Sequence, residues 1–220
     1  MTYGHGIVRN IPEVLQFWMR RGRFCRKIMK KLILFGDSNT YGYDPRGFMG
    51  GRYAEEVRWA TIVRYALADS YEVIEEGMNG RQLPDIGAGY FTNMLASVTS
   101  DDTVVMMLGT NDILLTYNPN PEQASAKMER ILAYIKDSFV GRFIMIAPPY
   151  IDAAEPELQR YRDASVQMNK RFMELAMKYG IEAIDAAEWN IPMGFDGVHF
   201  TIEGHKQFAQ MILSELQGLI

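Results

Sequence analysis

The chain has three histidines, and one of them stands in a pattern that could do chemistry. His199 lies in Phe195-Asp196-Gly197-Val198-His199-Phe200, with Asp196 three residues earlier and a glycine between them. That spacing lets one carboxylate accept from the imidazole and fix its tautomer while the other ring nitrogen faces a hydroxyl. Ser38, in Gly36-Asp37-Ser38-Asn39-Thr40, is the matching candidate, because a serine hydroxyl is a poor nucleophile until a neighbouring base takes its proton. The chemistry would be acyl transfer through serine, in the chain order Ser…Asp…His, one of the orders in which such triads occur. Taken alone, Gly-Asp-Ser reads as an ordinary turn or helix cap after a strand. His5 lies in an N-terminal segment of different character, and His205, beside Gly204, reads as a packed or solvated histidine of the last helix.

Acyl transfer also needs donors for a developing oxyanion. Asn111, in Gly109-Thr110-Asn111-Asp112, can offer a side-chain N–H worth ~3 kcal/mol in a transition state; the alternative for Asn111-Asp112 is a turn or cap. In Glu76-Gly77-Met78-Asn79-Gly80-Arg81 a glycine can present its backbone N–H unobstructed. Gly80 is preferred to Gly77, though the sequence does not separate them. The Gly-x-Ser-x-Gly elbow of α/β-hydrolases is absent, which argues against that fold. Asp196 and His199 could instead bind a metal, but no paired second histidine or cysteine cluster stands at ligand spacing, so a metal site is not expected.

These residues need elements to hold them. Apolar runs at 32–35, 71–74, 103–108, 142–147 and 182–185 predict five strands. Helical spacing predicts helices over 57–67, 90–97, 121–139, 155–179 and 202–220, with Pro121 opening one and Gly180 closing another. Such alternation predicts a parallel sheet covered by helices on both faces. Right-handed crossovers put the strand C-termini on one edge, where open α/β sheets bind ligands. The loops opening at Gly36, Gly77, Gly109, Pro148 and Asp185 are therefore the place to look.

Composition bounds the rest. A chain of 220 residues, 48% hydrophobic and 23% charged, fits one soluble globular domain. A net charge of -4 gives no reason to expect nucleic-acid binding, and no apolar run is long enough to span a membrane. The single cysteine, Cys25, cannot form an internal disulfide, which fits a reducing compartment such as the cytoplasm. Residues 1–31 carry eight basic residues against one acid, Glu13, leaving 15 basic and 26 acidic residues for the remainder. Two readings of residues 1–30 stay open: an appended helix presenting Leu15, Trp18 and Met19, or a segment preceding a natural start at Met29. Residues 31–220 form the expected catalytic domain.

Four segments together resemble the blocks of the SGNH (GDSL-type) hydrolase superfamily: Gly36-Asp37-Ser38, Gly77-Met78-Asn79-Gly80, Gly109-Thr110-Asn111-Asp112 and Asp196-Gly197-Val198-His199. Val57-Arg58-Trp59 and the run from Glu72 to Gly77 are similar to the arylesterase/perhydrolase branch. The resemblance implies a three-layer α/β/α sandwich with a five-stranded parallel sheet in flavodoxin-like order. It implies Ser38 as nucleophile, His199 as base and then acid, and Asp196 as its orienter. Oxyanion donors from the Ser38 and Gly80 backbones and the Asn111 side chain are implied too. A small acyl ester as substrate, a homo-oligomer, and no metal or cofactor complete the implication. The expected activity is hydrolysis of short-chain esters. Acyl transfer to a sugar hydroxyl or peroxide, carbohydrate deacetylation, and a catalytically silent binding protein on the same fold are the alternatives. Asp37 is expected to anchor the nucleophile loop, Trp59 to pack the first helix or border the acyl pocket, and Arg58 and Arg81 each to pair with a nearby acid.

Overall fold

The computed structural model describes residues 29–47, 51–152 and 155–220; the two readings of the basic N-terminal segment lie outside them. Lys30–Gly36 is strand β1, followed at once by a single helical turn, α1, over Ser38–Tyr41. A two-residue hairpin follows, β2 (Tyr43–Asp44) with β3 (Gly51–Arg52), then helix α2 (Trp59–Ala66) and strand β4 (Tyr71–Gly77). Next come α3 (Tyr90–Ala96), β5 (Thr103–Met107), α4 (Thr110–Leu114), α5 (Pro121–Ser138) and β6 (Arg142–Ala147). The chain continues through α6 (Gln159–Tyr179), β7 (Glu182–Asp185) and α7 (Ile202–Leu219).

The main sheet has the order β4-β1-β5-β6-β7, and every pairing is parallel. This is the expected five-stranded α/β/α sandwich in flavodoxin-like order. Side chains alternate across each strand, so the two faces bury different residues. Ile33, Phe35, Val104, Met106, Phe143 and Met145 face α3, α5 and α6. Leu32, Leu34, Val105, Met107, Ile144 and Ile146 face α2 and α7, where Trp59 packs edge-on against Phe208 with ring centroids 5.0 Å apart.

Register positions the site. Gly36 at the end of β1 pairs with Gly77 of β4 on one side and Met107 of β5 on the other, so three site loops leave the sheet at one level. Element ends differ from expectation by a few residues, for local reasons. Helix α6 opens at Gln159 instead of 155, because Glu155 is held extended (φ -96°, ψ 140°) before Pro156 and a 3-10 turn over Pro156–Leu158 intervenes. A second 3-10 turn, Glu55–Val57, similarly delays α2.

Candidate active site

The nucleophile loop is built by capping. Asp37 is the N-cap of α1, its carboxylate accepting from the Asn39 N–H at 3.0 Å, and Gly42 ends the turn in left-handed geometry at φ 84°. Ser38 thus sits at the first position of a helical turn, 6% exposed, above the end of β1. Asp37 anchors the loop as expected, at a cost: burial pushes its carboxyl up to about 6, against the lowering effects of the Asn39 N–H, His199 and Arg81.

The base arrives from the other end of the chain. Asp196 Oδ1 accepts from the N–H groups of Val198 and His199, each at 3.0 Å, which folds residues 196–199 into a tight turn. Asp196 Oδ2 lies 2.7 Å from His199 Nδ1, and His199 Nε2 lies 2.9 Å from Ser38 Oγ. An ionised carboxylate only accepts, so Nδ1 carries the proton and Nε2 is free to accept from the serine hydroxyl. Burial opposes ionisation of Asp196, but the hydrogen bonds from His199 and Val198 win and hold its carboxyl below the usual value. Downstream, Thr201 caps α7 by accepting from the Gly204 N–H at 3.0 Å, so the base turn runs directly into a fixed helix.

The two candidate glycines separate on packing. A Cβ on Gly77 would run into the backbone of Tyr41, so that position is bare to let β4 pass beneath α1. Gly80 has φ +71° and open space where a Cβ would be. Asn111 is 8% exposed, and its side-chain Nδ2 donates to the Arg81 carbonyl at 3.1 Å. That bond uses one amide hydrogen and fixes the plane of the amide, leaving the second for another acceptor. Asp112 braces the same loop, accepting from the Leu83 N–H at 2.8 Å and from Lys127 Nζ at 2.7 Å.

Arg58 meets the expected acid, Glu75, at 3.6 Å. Arg81 departs from expectation: among the described residues it forms no ion pair. It donates instead to the carbonyls of Gly36 (2.9 Å) and Glu76, and its guanidinium lies 4.1 Å over the Phe35 ring. It therefore ties the ends of β1 and β4 together while its own carbonyl holds Asn111. Trp59 packs into the core, 1% exposed, and its indole N–H donates to the Asn39 carbonyl at 2.9 Å. Two neighbours of the base carry no signal in the sequence patterns. The Tyr43 ring lies 4.5 Å from the His199 ring, and Asn39 bonds the base turn through its side chain. Phe195, just before Asp196, is 82% exposed. Among the described residues no group of three or more His, Cys, Asp or Glu is arranged to hold a metal ion, and no helix is long and apolar enough to cross a membrane.

Known proteins share this fold. A putative arylesterase from Agrobacterium tumefaciens superposes with a TM-score of 0.71 at 27% identity, covering 87% of this chain and 100% of that one. The M. smegmatis aryl esterase gives a TM-score of 0.73 at 25% identity over the same shares of the two chains, 87% and 100%. A carbohydrate acetylesterase from Sinorhizobium meliloti, 24% identical, shares the fold with a TM-score of 0.73, covering 87% of this chain and 100% of that one. Curated protein sequences gave no match. Residues 34–207 match the family described as GDSL-like Lipase/Acylhydrolase, and the chain belongs to that family.

Proposed function

We propose that this protein is a serine esterase that hydrolyses short-chain acyl esters through an acyl-Ser38 intermediate. The observation that carries the reading is the continuous line from Asp196 Oδ2 to His199 Nδ1 (2.7 Å) and from His199 Nε2 to Ser38 Oγ (2.9 Å). Ser38 Oγ attacks the ester carbonyl carbon as its proton passes to His199 Nε2, and Asp196 stabilises the imidazolium. The backbone N–H groups of Ser38 and Gly80 and the spare amide hydrogen of Asn111 receive the oxyanion. Collapse breaks the bond to the leaving alcohol, which takes the proton from His199. Water, deprotonated by the same nitrogen, then attacks the acyl carbon and releases the acid and Ser38.

Turnover of p-nitrophenyl acetate by the wild-type protein and by Ser38→Ala tests this. A loss on the order of 10⁴-fold or more is expected in the variant, and equal turnover would falsify the assignment. Rates falling along a series from acetyl to octanoyl esters are expected for a short acyl site.

A second reading uses the same atoms with another acceptor in place of water: acyl transfer to a sugar hydroxyl or peroxide, or deacetylation of a carbohydrate. The aryl esterase and carbohydrate acetylesterase structures that resemble this chain favour keeping it. Product analysis with competing alcohols separates transfer from hydrolysis, and release of acetate from acetylated sugars reads the third option.

A further inference from the structure

Asp196 shapes the base turn locally, and backbone bonds from Asp152 to Gly197 and from Gly194 to His199, each 2.7 Å, hold it from outside. The contact between this turn and the serine loop comes from a further side chain. The side chain of Asn39 donates from Nδ2 to the Val198 carbonyl at 3.0 Å, and its Oδ1 accepts from the Phe200 N–H at 2.9 Å. These are the peptide groups on either side of His199, so the amide pairs with the base segment as one strand residue pairs with its neighbour. Asn39 is itself held, 6% exposed, with its N–H donated to Asp37 at 3.0 Å and its carbonyl accepting from the Trp59 indole at 2.9 Å.

We propose that Asn39 is a positioning residue that sets the register between Ser38 and His199 by clamping the backbone on both sides of the base. The inference rests on the esterase reading above. This chain carries asparagine after Gly-Asp-Ser, at the position where the family's own four-letter description carries leucine. Leucine has nearly the shape of asparagine and can make neither bond. The clamp matters because misplacing reacting groups by about 1 Å can cost on the order of 10²-fold in rate.

The test compares wild type with Asn39→Leu, Asn39→Asp and Thr61→Val. It uses steady-state kinetics on p-nitrophenyl acetate and the rate at which a fluorophosphonate modifies Ser38. Asn39→Leu is expected to lower kcat by roughly 10- to 100-fold with KM within about two-fold, and to slow phosphonylation in parallel. Asn39→Asp keeps the acceptor for Phe200 but sets an oxygen against the Val198 carbonyl, so a smaller loss is expected. Thr61→Val, on α2, removes a 2.9 Å bond to Glu75 of β4 and serves as the control for lost stability without lost register. It should lower Tm and leave kcat alone. The proposal is overturned if folded Asn39→Leu keeps kcat and phosphonylation within about two-fold of wild type. It is equally overturned if Thr61→Val, at a matched Tm, loses as much activity. Should Asn39→Leu fail to fold, Asn39→Asp decides by the same threshold. A wild-type Ser38 that does not react with the probe removes the esterase reading and the clamp together. A reactive wild type with an equally reactive Asn39→Leu removes the clamp alone.

Discussion

Two histidines stand within two helical turns of each other and have opposite surroundings. His199 keeps 20% of its side chain exposed, and each ring nitrogen has a partner, Asp196 on one side and Ser38 on the other. His205, one turn into α7, has no exposed surface and lies between the rings of Tyr53 and Phe200, each with its centroid 5.3 Å away. Its Nδ1 accepts a long 3.4 Å bond from the Trp59 N–H, and its Nε2 has no partner among the described residues. Burial above all, and then the charges of Arg58 and His199, push its pKa down to about 3. No carboxylate faces it among the described ion pairs or hydrogen bonds. The imidazole is the same; one has a carboxylate, a hydroxyl and access to solvent, and the other, lacking all three, is a neutral bracket between α7 and the start of α2.

The largest effect that could break this contrast is on turnover. His199→Ala should lower kcat on p-nitrophenyl acetate by on the order of 10⁴-fold or more, whereas His205→Gln should leave kcat within a few-fold at pH 7. Comparable losses in both would erase the distinction. Asp196→Asn sharpens it by removing the carboxylate alone. The amide can accept from or donate to Nδ1, so the tautomer is no longer fixed, and a kcat loss of about 10³- to 10⁴-fold is expected with Tm little changed. A rate near wild type would mean that Asp196 does not orient the base.

Smaller effects appear in stability against pH, where two buried groups oppose each other. His205 has an ordinary value of 6.5 and a folded value of about 3, so between these the unfolded chain binds more protons. Its contribution is complete above about pH 6.5 and is lost as pH falls toward 3. Asp37 runs the other way: its carboxyl rises from 3.8 to about 6 on folding, so the folded chain binds more protons and stability falls as pH rises through that window. Each fully developed slope is about 1.4 kcal/mol per pH unit, and over the shared range the two nearly cancel. Urea unfolding of Asp37→Asn should therefore show stability climbing with pH between 3.8 and 6, and His205→Gln should show it declining there. Parallel profiles in the two variants would rule this balance out. At neutral pH, above that window, Asp37→Asn keeps an acceptor for the Asn39 N–H without the buried charge. A rise in Tm of a few degrees is expected, read by thermal melting.

Much of this was legible in the chain because it is written in local patterns. Continuous apolar runs such as 103–108 mark buried parallel strands, and parallel topology alone brings Gly36, Gly77 and Gly109 to one edge. The spacing of Asp196 and His199 is a turn that closes on itself, so it announces its geometry. What escaped reading depends on partners far away in sequence or on backbone groups. Asn39 binds two peptide groups some 160 residues downstream, and a peptide group has no letter of its own. Arg81 reads as half of an ion pair, yet the carbonyls of Gly36 and Glu76 take its hydrogens. The β2–β3 hairpin that brings Tyr43 over His199 has two residues per strand, too few for any periodicity to register.

The hydrogen bond between Ser38 and His199 joins residues 161 apart. A growing polypeptide that has completed β1, and most of the sheet after it, still holds a serine with no base. The reactive pair comes into being only when the segment leading into α7 has left the ribosome and closed back onto the first strand. Such a long-range closure belongs among the slow, non-local steps of folding. Completion of the Ser38–His199 pair thus waits on the last quarter of the fold: a chain stopped before Asp196 would carry nearly the whole sheet and no histidine beside Ser38.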